Sequence, residues 1–345
     1  MKQHLKNSLV AGVIFLIAFL LGFLVSNEYN FYKTKAIIAS IKPLRQNDLQ
    51  RKFTYPLLKY NFNDALPYIE NKSMEASIKQ YIENQKNAGV IENASVYYRN
   101  LLNNQWAGVN QNDKYHPGSI MKVVAMIGCY RTGEIDPSFM QKKLEYTQEM
   151  SQKTNTLALA SPSSLVIGES YPVKDLISKM IIESDNGAFN LLVSNLDYKI
   201  LTSIMVDLNI DTPDKEEDYT ISPVAYSNFI RILYNSTYLN ESDSEEALLM
   251  MSKADFKDGI VAGVPGNVVV AQKYGESVNA NTNNHAVNSI ELNNCGIVYA
   301  HNTPYALCVM TKKSGATEND KKILASVIKD ISTMAYQETV GIDKK

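Results

Sequence analysis

The stretch HPGSIMKV, residues 116–123, stands where a polar segment gives way to an apolar run. It places Ser119 and Lys122 three residues apart at the start of a helix. Residues i and i+3 share one helix face, so the hydroxyl and the amine are expected to meet. A serine hydroxyl is a poor nucleophile until a neighbouring base takes its proton. A lysine serves as that base only where burial or charge lowers its pKa. The bland alternative makes Ser119 a helix cap and Lys122 a solvated side chain. The next residues of the chain decide between them: Val123, Val124, Ala125, Met126 and Ile127 make the helix apolar nearly all round. Such a helix is buried, and a lysine in its first turn must then find a polar pocket. The spacing alone is weak, because Ser326 and Lys329 repeat it within the last helix of the chain.

Composition narrows the classes of function. The 345 residues are 45% hydrophobic and 20% charged, the balance of a globular protein. A net charge of −2 offers no electrostatic footprint for nucleic acid. Three cysteines and four scattered histidines lack the close spacings of a zinc site, so neither a metal nor another cofactor is expected. The N-terminus reads MKQHLK and then LVAGVIFLIAFLLGFLV, Leu9 to Val25, without a charge. Its 17 residues lie at the short end of the roughly 17–25 that span a bilayer. No small-x-small cleavage pattern comes after it, which favours an uncleaved anchor over a signal peptide. Lys2 and Lys6 stay on the cytoplasmic side, so everything after Ser26 faces outward, on the extracytoplasmic side of the cell membrane.

The rest divides into a stalk and one domain. Residues 27–70 are mixed and punctuated by Pro43, Pro56 and Pro67. A helix is expected from Ser73 to Ala88, then strands in VIENASVYYRNL and WAGVN. From Ser119 to about Phe256 nearly every segment has helical periodicity. Strands return in NVVVAQKYG, CGIVYAH and PYALCVMT. A last helix opens at Thr317, with Ile323, Leu324, Val327, Ile328, Ile331 and Met334 as its apolar stripe. The economical fold class is α/β in the α+β sense: an antiparallel five-stranded sheet built from both ends of the domain, flanked by the terminal helices, with an all-helical lobe inserted. A cleft forms where lobe meets sheet. Cys295 and Cys308 lie in two apolar runs that could oppose each other across a hairpin. The strand register is not legible, however, and unpaired thiols are the default expectation.

Two further clusters carry chemistry. IIESDNGAFN sets Ser184, Asp185 and Asn186 between helical segments. NVVVAQKYGES ends a β-rich run with Lys273, Tyr274, Gly275 and Glu276. Ser-x-x-Lys, Ser-Asp-Asn and Lys-Thr-Gly, in that order, are the motifs of the penicillin-recognising serine enzymes. Residues about 75 to 338 thus resemble a class A β-lactamase domain. The resemblance implies that Ser119 attacks a carbonyl, Lys122 takes its proton, and Ser184 passes a proton to the leaving nitrogen beside the positive Lys273. It further implies that Asn186 holds the substrate's amide and that the backbone N–H groups of Ser119 and Glu276 form the oxyanion hole. Asp185 reads as structural. A competing Lys-Ser-Gly triplet at Lys313 is expected in the loop after the last strand and is set aside as solvated.

This chain departs from the resemblance twice. Class A enzymes activate the deacylating water with a glutamate in a Glu-x-x-Leu-Asn loop. Here only DTPDKEE separates VDLNI from DYTISPVAYSNFIRIL, leaving Glu216 and Glu217 as the nearby substitutes. Tyr274 also replaces a small hydroxyl residue that helps bind the substrate carboxylate. The expected architecture is therefore an anchor over residues 1–26, a stalk over 27–70 and a catalytic domain over 71–340, working as a monomer. Its expected partner is a β-lactam or a D-alanyl peptide. The leading function is β-lactam ring opening; the alternatives are a D-alanyl-D-alanine carboxypeptidase or penicillin-binding protein, and a non-catalytic envelope sensor or scaffold.

Overall fold

A computed structural model describes residues 44–45, 52–54, 57–59, 69–103, 105–155, 163–212, 219–280, 287–301 and 303–342. All of them belong to one compact unit, Leu44–Tyr60 with Tyr68–Lys345. The other unit, Met1–Pro43 with Asn61–Pro67, lies outside the described residues, and with it the apolar run Leu9 to Val25. Among the described residues no helix is long and apolar enough to cross a membrane.

The chain enters through a short antiparallel pair, β1 (Leu44–Arg45) and β2 (Leu57–Lys59). Helix α1 (Lys72–Asn87) starts where the Asn71 side chain accepts the Met74 N–H at 3.0 Å. It turns Met74, Ile78 and Ile82 inward at helical spacing. Strands β3 (Asn93–Asn100) and β4 (Trp106–Val109) come next. A 3-10 turn, Gly118–Met121, then leads into the central helix α2 (Lys122–Ile135). The helical lobe adds α3 (Gln148–Asn155), α4 (Val173–Ile182), α5 (Asn186–Val193), α6 (Tyr198–Asp207), α7 (Pro223–Tyr234) and α8 (Glu241–Ser252). Within it a small ribbon, β5 (Lys143–Glu145) with β6 (Ser170–Pro172), escapes the helical periodicity of the sequence. Its strands are three residues each, too short to show an alternation. Strands β7 (Val269–Ala280), β8 (Val287–Tyr299) and β9 (Tyr305–Ser314) and helix α9 (Glu318–Ile342) complete the chain.

The sheet order is β4-β3-β9-β8-β7, antiparallel throughout, so early and late strands meet at its centre as expected. Alternation along β9 divides the core. Tyr305, Leu307 and Val309 face one cluster with α1 and α9, while Ala306, Cys308 and Met310 face the helical lobe. Helix α2 runs through the lobe with Val123 to Tyr130 all buried, which is why its sequence shows no polar face.

Three details differ from the sequence-based expectations. The register sets Cys295 opposite Cys308, and the two form a disulfide, while Cys129 stays a buried free thiol. Register was the missing information: one residue of slip would have turned the thiols to opposite faces. The β7–β8 hairpin also runs longer than its apolar stretches suggest, to Ala280 and from Val287. Lys313 lies inside β9 opposite Ile290, and its ammonium pairs with Asp320 at 3.6 Å. It is a strand residue and not a loop lysine. The other recurrence of the motif, Ser326 and Lys329, is exposed on α9.

Part of the expected stalk is bound to the domain. One carboxylate, Glu245 on α8, accepts the backbone N–H groups of Lys52, Phe53 and Thr54 at 2.7–3.1 Å, together with the Thr54 hydroxyl at 2.8 Å. The Tyr299 hydroxyl donates to the Phe53 carbonyl at 2.9 Å. The disulfide closes a separation of 13 residues, for which loop entropy gives about 3 kcal/mol. Thiol alkylation of the denatured chain should label one cysteine without reductant and three with it. Three labels in both arms would show that Cys295 and Cys308 are unbonded.

Candidate active site

The site begins with the 3-10 turn that carries Ser119. Strand β8 grips the approach to it. Asn293 donates its side-chain N–H to the His116 carbonyl at 2.8 Å, and Glu291 accepts the His116 backbone N–H at 2.7 Å. From the other side, the Tyr226 hydroxyl of α7 donates to the Ile120 carbonyl at 2.9 Å. The turn then presses against edge strand β7. A Cβ on Gly275 would run into Pro117 O, and would lie 2.6 Å from Ile120 N and 2.8 Å from Ser119 N. A Cβ on Gly118, which has φ of +55°, would collide with the backbone of Glu276. Only glycine permits both approaches. The backbones of Ser119 and Glu276 therefore meet along one seam, each against a residue with no side chain.

The second wall is the turn between α4 and α5. Asp185 caps α5, its carboxylate accepting the Ala188 N–H at 2.8 Å, the Ser164 N–H at 2.7 Å and the hydroxyls of Ser163 and Ser164 at 2.8 and 3.0 Å. Burial raises the Asp185 pKa, but these bonds outweigh it and hold the carboxyl below its usual range. Asp185 is thus a structural anion, as its sequence context suggests. Ser184, just before it, is held at φ of +59°, in the left-handed region that a serine seldom occupies. That conformation points both its carbonyl and its hydroxyl at the lysines.

Lys122 is 3% exposed and Lys273 1%. The Lys122 ammonium donates to Ser184 O at 2.5 Å, to Asn186 Oδ1 at 2.6 Å and to Ser184 Oγ at 3.3 Å. Lys273 donates to the same Ser184 Oγ at 2.8 Å and to the Tyr274 carbonyl at 3.1 Å. The structure thus brings Lys122, Ser184, Asn186 and Lys273 together, with Ser119 and Gly275 on the adjoining seam. It does not put Lys122 in hydrogen-bond contact with Ser119, the pairing expected from a shared helix face. Ser119 sits in a 3-10 turn one step before the α-helix, and a buried ammonium turns to stronger acceptors.

Burial lowers the Lys122 pKa to about 7, although the Asp185 carboxylate pulls the other way. Burial first, and then the charge of Lys122, drive Lys273 well below its ordinary value. Two amines share one hydroxyl, and the charge of Lys122 favours the neutral form of Lys273. Aromatic faces complete the box: Lys122 lies 5.9 Å from the Phe189 ring and Lys273 4.6 Å from the Tyr274 ring. Tyr274 in turn stacks on Phe256 at 4.2 Å and 19°, and burial raises its phenol pKa. The bulk that its sequence position made awkward is taken up by this stack. Glu276 turns its carboxylate to Lys321 at 2.5 Å and offers the site only its backbone. Glu216 and Glu217 lie outside the described residues.

Sequence reasoning missed Glu291, Asn293, Tyr226, Phe189 and Phe256. Glu291 and Asn293 left a faint signal, two polar residues at period two just before the apolar run CGIVY, and they are 3% and 0% exposed. The aromatics left none, because single aromatic residues in an apolar sequence context read simply as core. Among the described residues no group of His, Cys, Asp or Glu is arranged to hold a metal ion.

Comparison with known proteins bears on this geometry. A family model described as the beta-lactamase enzyme family matches residues 73–339. Solved structures share the fold at low identity. A variant of PBP-A in an acyl-enzyme complex with penicillin G is 16% identical, covers 81% of this chain and 99% of its own, and superposes with a TM-score of 0.64. A class A beta-lactamase from Mycobacterium abscessus is 16% identical over 75% of this chain and 99% of its own, with a TM-score of 0.61. A beta-lactamase from Francisella tularensis is 16% identical over 77% and 99%, with a TM-score of 0.62. At these identities the likeness carries the fold alone. No curated protein sequence matches the chain.

A shift of Lys122 from 10.5 to about 7 costs the folded state roughly 4–5 kcal/mol once pH falls below both values. Between pH 7 and 10 the unfolded chain binds a proton that the folded chain does not, so this cost shrinks as pH rises. Lys122→Met removes it. Its stability relative to the parent should improve by about 2–3 kcal/mol as pH drops from 9 to 6, read from denaturant midpoints. A difference that does not change with pH would mean that Lys122 titrates like a solvated lysine.

Proposed function

The chain belongs to the beta-lactamase enzyme family, and we propose that it opens β-lactam rings as a serine hydrolase, through an acyl-enzyme on Ser119. The observation that carries the reading is the Ser184 hydroxyl, held 2.8 Å from Lys273 and 3.3 Å from Lys122 beside Asn186. A hydroxyl between two amines of depressed pKa is a proton relay with its donor and acceptor already in place.

In the proposed reaction neutral Lys122 takes the Ser119 proton as the serine oxygen attacks the lactam carbonyl. With a pKa of about 7, the lysine has a large neutral fraction at physiological pH. The developing oxyanion is met by the backbone N–H groups of Ser119 and Glu276, where one such donor is worth about 3–4 kcal/mol. Ser184 protonates the departing nitrogen and regains a proton from the Lys122 ammonium, 3.3 Å away, which returns the base to its neutral form, while Lys273 polarises the hydroxyl. Asn186, once released by Lys122, binds the substrate's amide group. Gly275 keeps the strand close enough for the seam to act as a whole. Tyr274 closes the far side of Lys273 and narrows the place where a substrate carboxylate would rest.

One observation favours a long-lived acyl-enzyme, and with it the penicillin-binding or D-alanyl carboxypeptidase reading as the second choice. The space beside Ser119, between α2, α5 and α6, is lined among the described residues by no carboxylate. Among the described residues, none in that space is a carboxylate base for deacylation. The Cys295–Cys308 disulfide supports an oxidising compartment, in line with a domain on the extracytoplasmic side held by the run Leu9 to Val25.

Incubation of the full chain with penicillin G, with intact mass and drug loss as readouts, tests these readings. The expected result is a covalent adduct of the drug's mass that Ser119→Ala abolishes and Ser326→Ala leaves unchanged. No adduct and no drug loss would turn the protein into a scaffold of the same fold. Acylation should accelerate as pH rises through about 7, because the base form of Lys122 appears above its pKa. Lys122→Met should slow adduct formation by about 10²–10⁴-fold. A rate independent of pH between 5 and 9 would remove Lys122 from the role of base.

A further inference from the structure

In the proposed reaction the departing nitrogen lies against the Ser184 hydroxyl, and that hydroxyl is 2.8 Å from the Lys273 ammonium. Whatever the nitrogen carries therefore comes to rest beside Lys273 and the residue after it, Tyr274. The contacts of these two side chains decide what can be recognised there.

Lys273 has little left to give an anion. It is 1% exposed. It donates to Ser184 Oγ at 2.8 Å and to the Tyr274 carbonyl at 3.1 Å, and the Tyr274 ring covers it with a centroid 4.6 Å away. Burial, and then the charge of Lys122, hold its pKa well below the ordinary value, and a neutral amine has only those two N–H groups to donate. Another cation near Tyr274, Lys321 of α9, is already joined to the Glu276 carboxylate at 2.5 Å. Burial raises the Tyr274 phenol pKa; Lys321 lowers it, while Glu276 and Asp255 raise it further, so negative charge outweighs positive among these three neighbours. What the place does present is a surface. Tyr274 and Phe256 are both half-buried and stack at 4.2 Å and 19°. Such a face rewards apolar and planar groups by contact and gives an anion neither charge nor hydrogen bond.

Resting on the acyl-enzyme reading, we infer that Tyr274 is a specificity-determining residue that sets this side of the site for an uncharged leaving group, one joined onward through an amide or an ester, in place of one that ends in a free carboxylate. A carboxylate brought against the stack loses its hydration while Lys273 and Lys321 are both engaged elsewhere.

Penicillin G and its methyl ester differ only in that charge. Their rates of acylation of the full chain, each divided by the compound's own rate of hydrolysis by hydroxide, isolate its effect. On this scale the ester should acylate Ser119 at least as fast as the acid. Tyr274→Thr, which uncovers Lys273, should shift the ratio about 10-fold toward the acid, the worth of one charge-assisted hydrogen bond. Phe256→Leu, which removes the ring stacked on the phenol but keeps an apolar side chain, should shift it the same way by less. A merely structural role for Tyr274 would slow both compounds alike and leave the ratio in place. An acid favoured about 10-fold or more in the parent, or a ratio unmoved in both variants, overturns the assignment. Calorimetric titration of the same two compounds into Ser119→Ala, where no adduct can form, keeps the two readings apart. If neither compound acylates the parent, the acyl-enzyme reading fails by itself; the ester binding Ser119→Ala at least as tightly as the acid still supports the present inference, and tighter binding of the acid overturns it.

Discussion

Two buried lysines hydrogen-bonded to one serine hydroxyl are an arrangement that a folded chain tolerates only if everything around it is fixed. An amine nearly stripped of water is costly, and a second one beside it adds repulsion. The structure answers with neutral acceptors and aromatic faces: the Ser184 carbonyl, the Asn186 amide, the Tyr274 carbonyl and the rings of Phe189 and Tyr274. The carboxylate of the same turn, Asp185, is spent on capping α5 and tethering Ser163 and Ser164. Had it bonded either ammonium directly, that lysine would have stayed fully charged and useless as a base. Without a direct carboxylate partner, both amines keep pKa values below that of an ordinary lysine.

The fold supplies the rigidity this requires from three directions. Strand β8 holds the approach to Ser119 through Glu291 and Asn293, α7 holds the turn through Tyr226, and β7 closes on it where Gly275 and Gly118 allow backbone to meet backbone. Each joins segments far apart in the sequence. The site is therefore a product of the whole domain, not of one motif. The left-handed Ser184 fits this picture, since a strained residue persists only when its surroundings over-determine it.

Much of this was legible in the sequence, and for identifiable reasons. Ser119 and Lys122 stood out because the helix they introduce has no polar face, and Ser184, Asn186 and Lys273 because their order matched a known trio. The order of strands and helices came from periodicity, and so did the sheet built from both ends. What escaped was whatever depends on register or on distant partners. The Cys295–Cys308 bond, the place of Lys313 within β9 and the three-residue strands β5 and β6 are of that kind. The expected contact between Ser119 and Lys122 failed for a local reason: spacing describes a regular helix, and the chain is a 3-10 turn at that point.

The register also lines up Lys273, Cys295, Cys308 and Tyr97 as one row across four neighbouring strands. The covalent bond in that row lies directly beside the strand that bears the lysine. Shear between β8 and β9, the soft deformation of any sheet, is thereby blocked at the level of the ammonium. The cystine works like a dowel under the bench on which the amine is mounted.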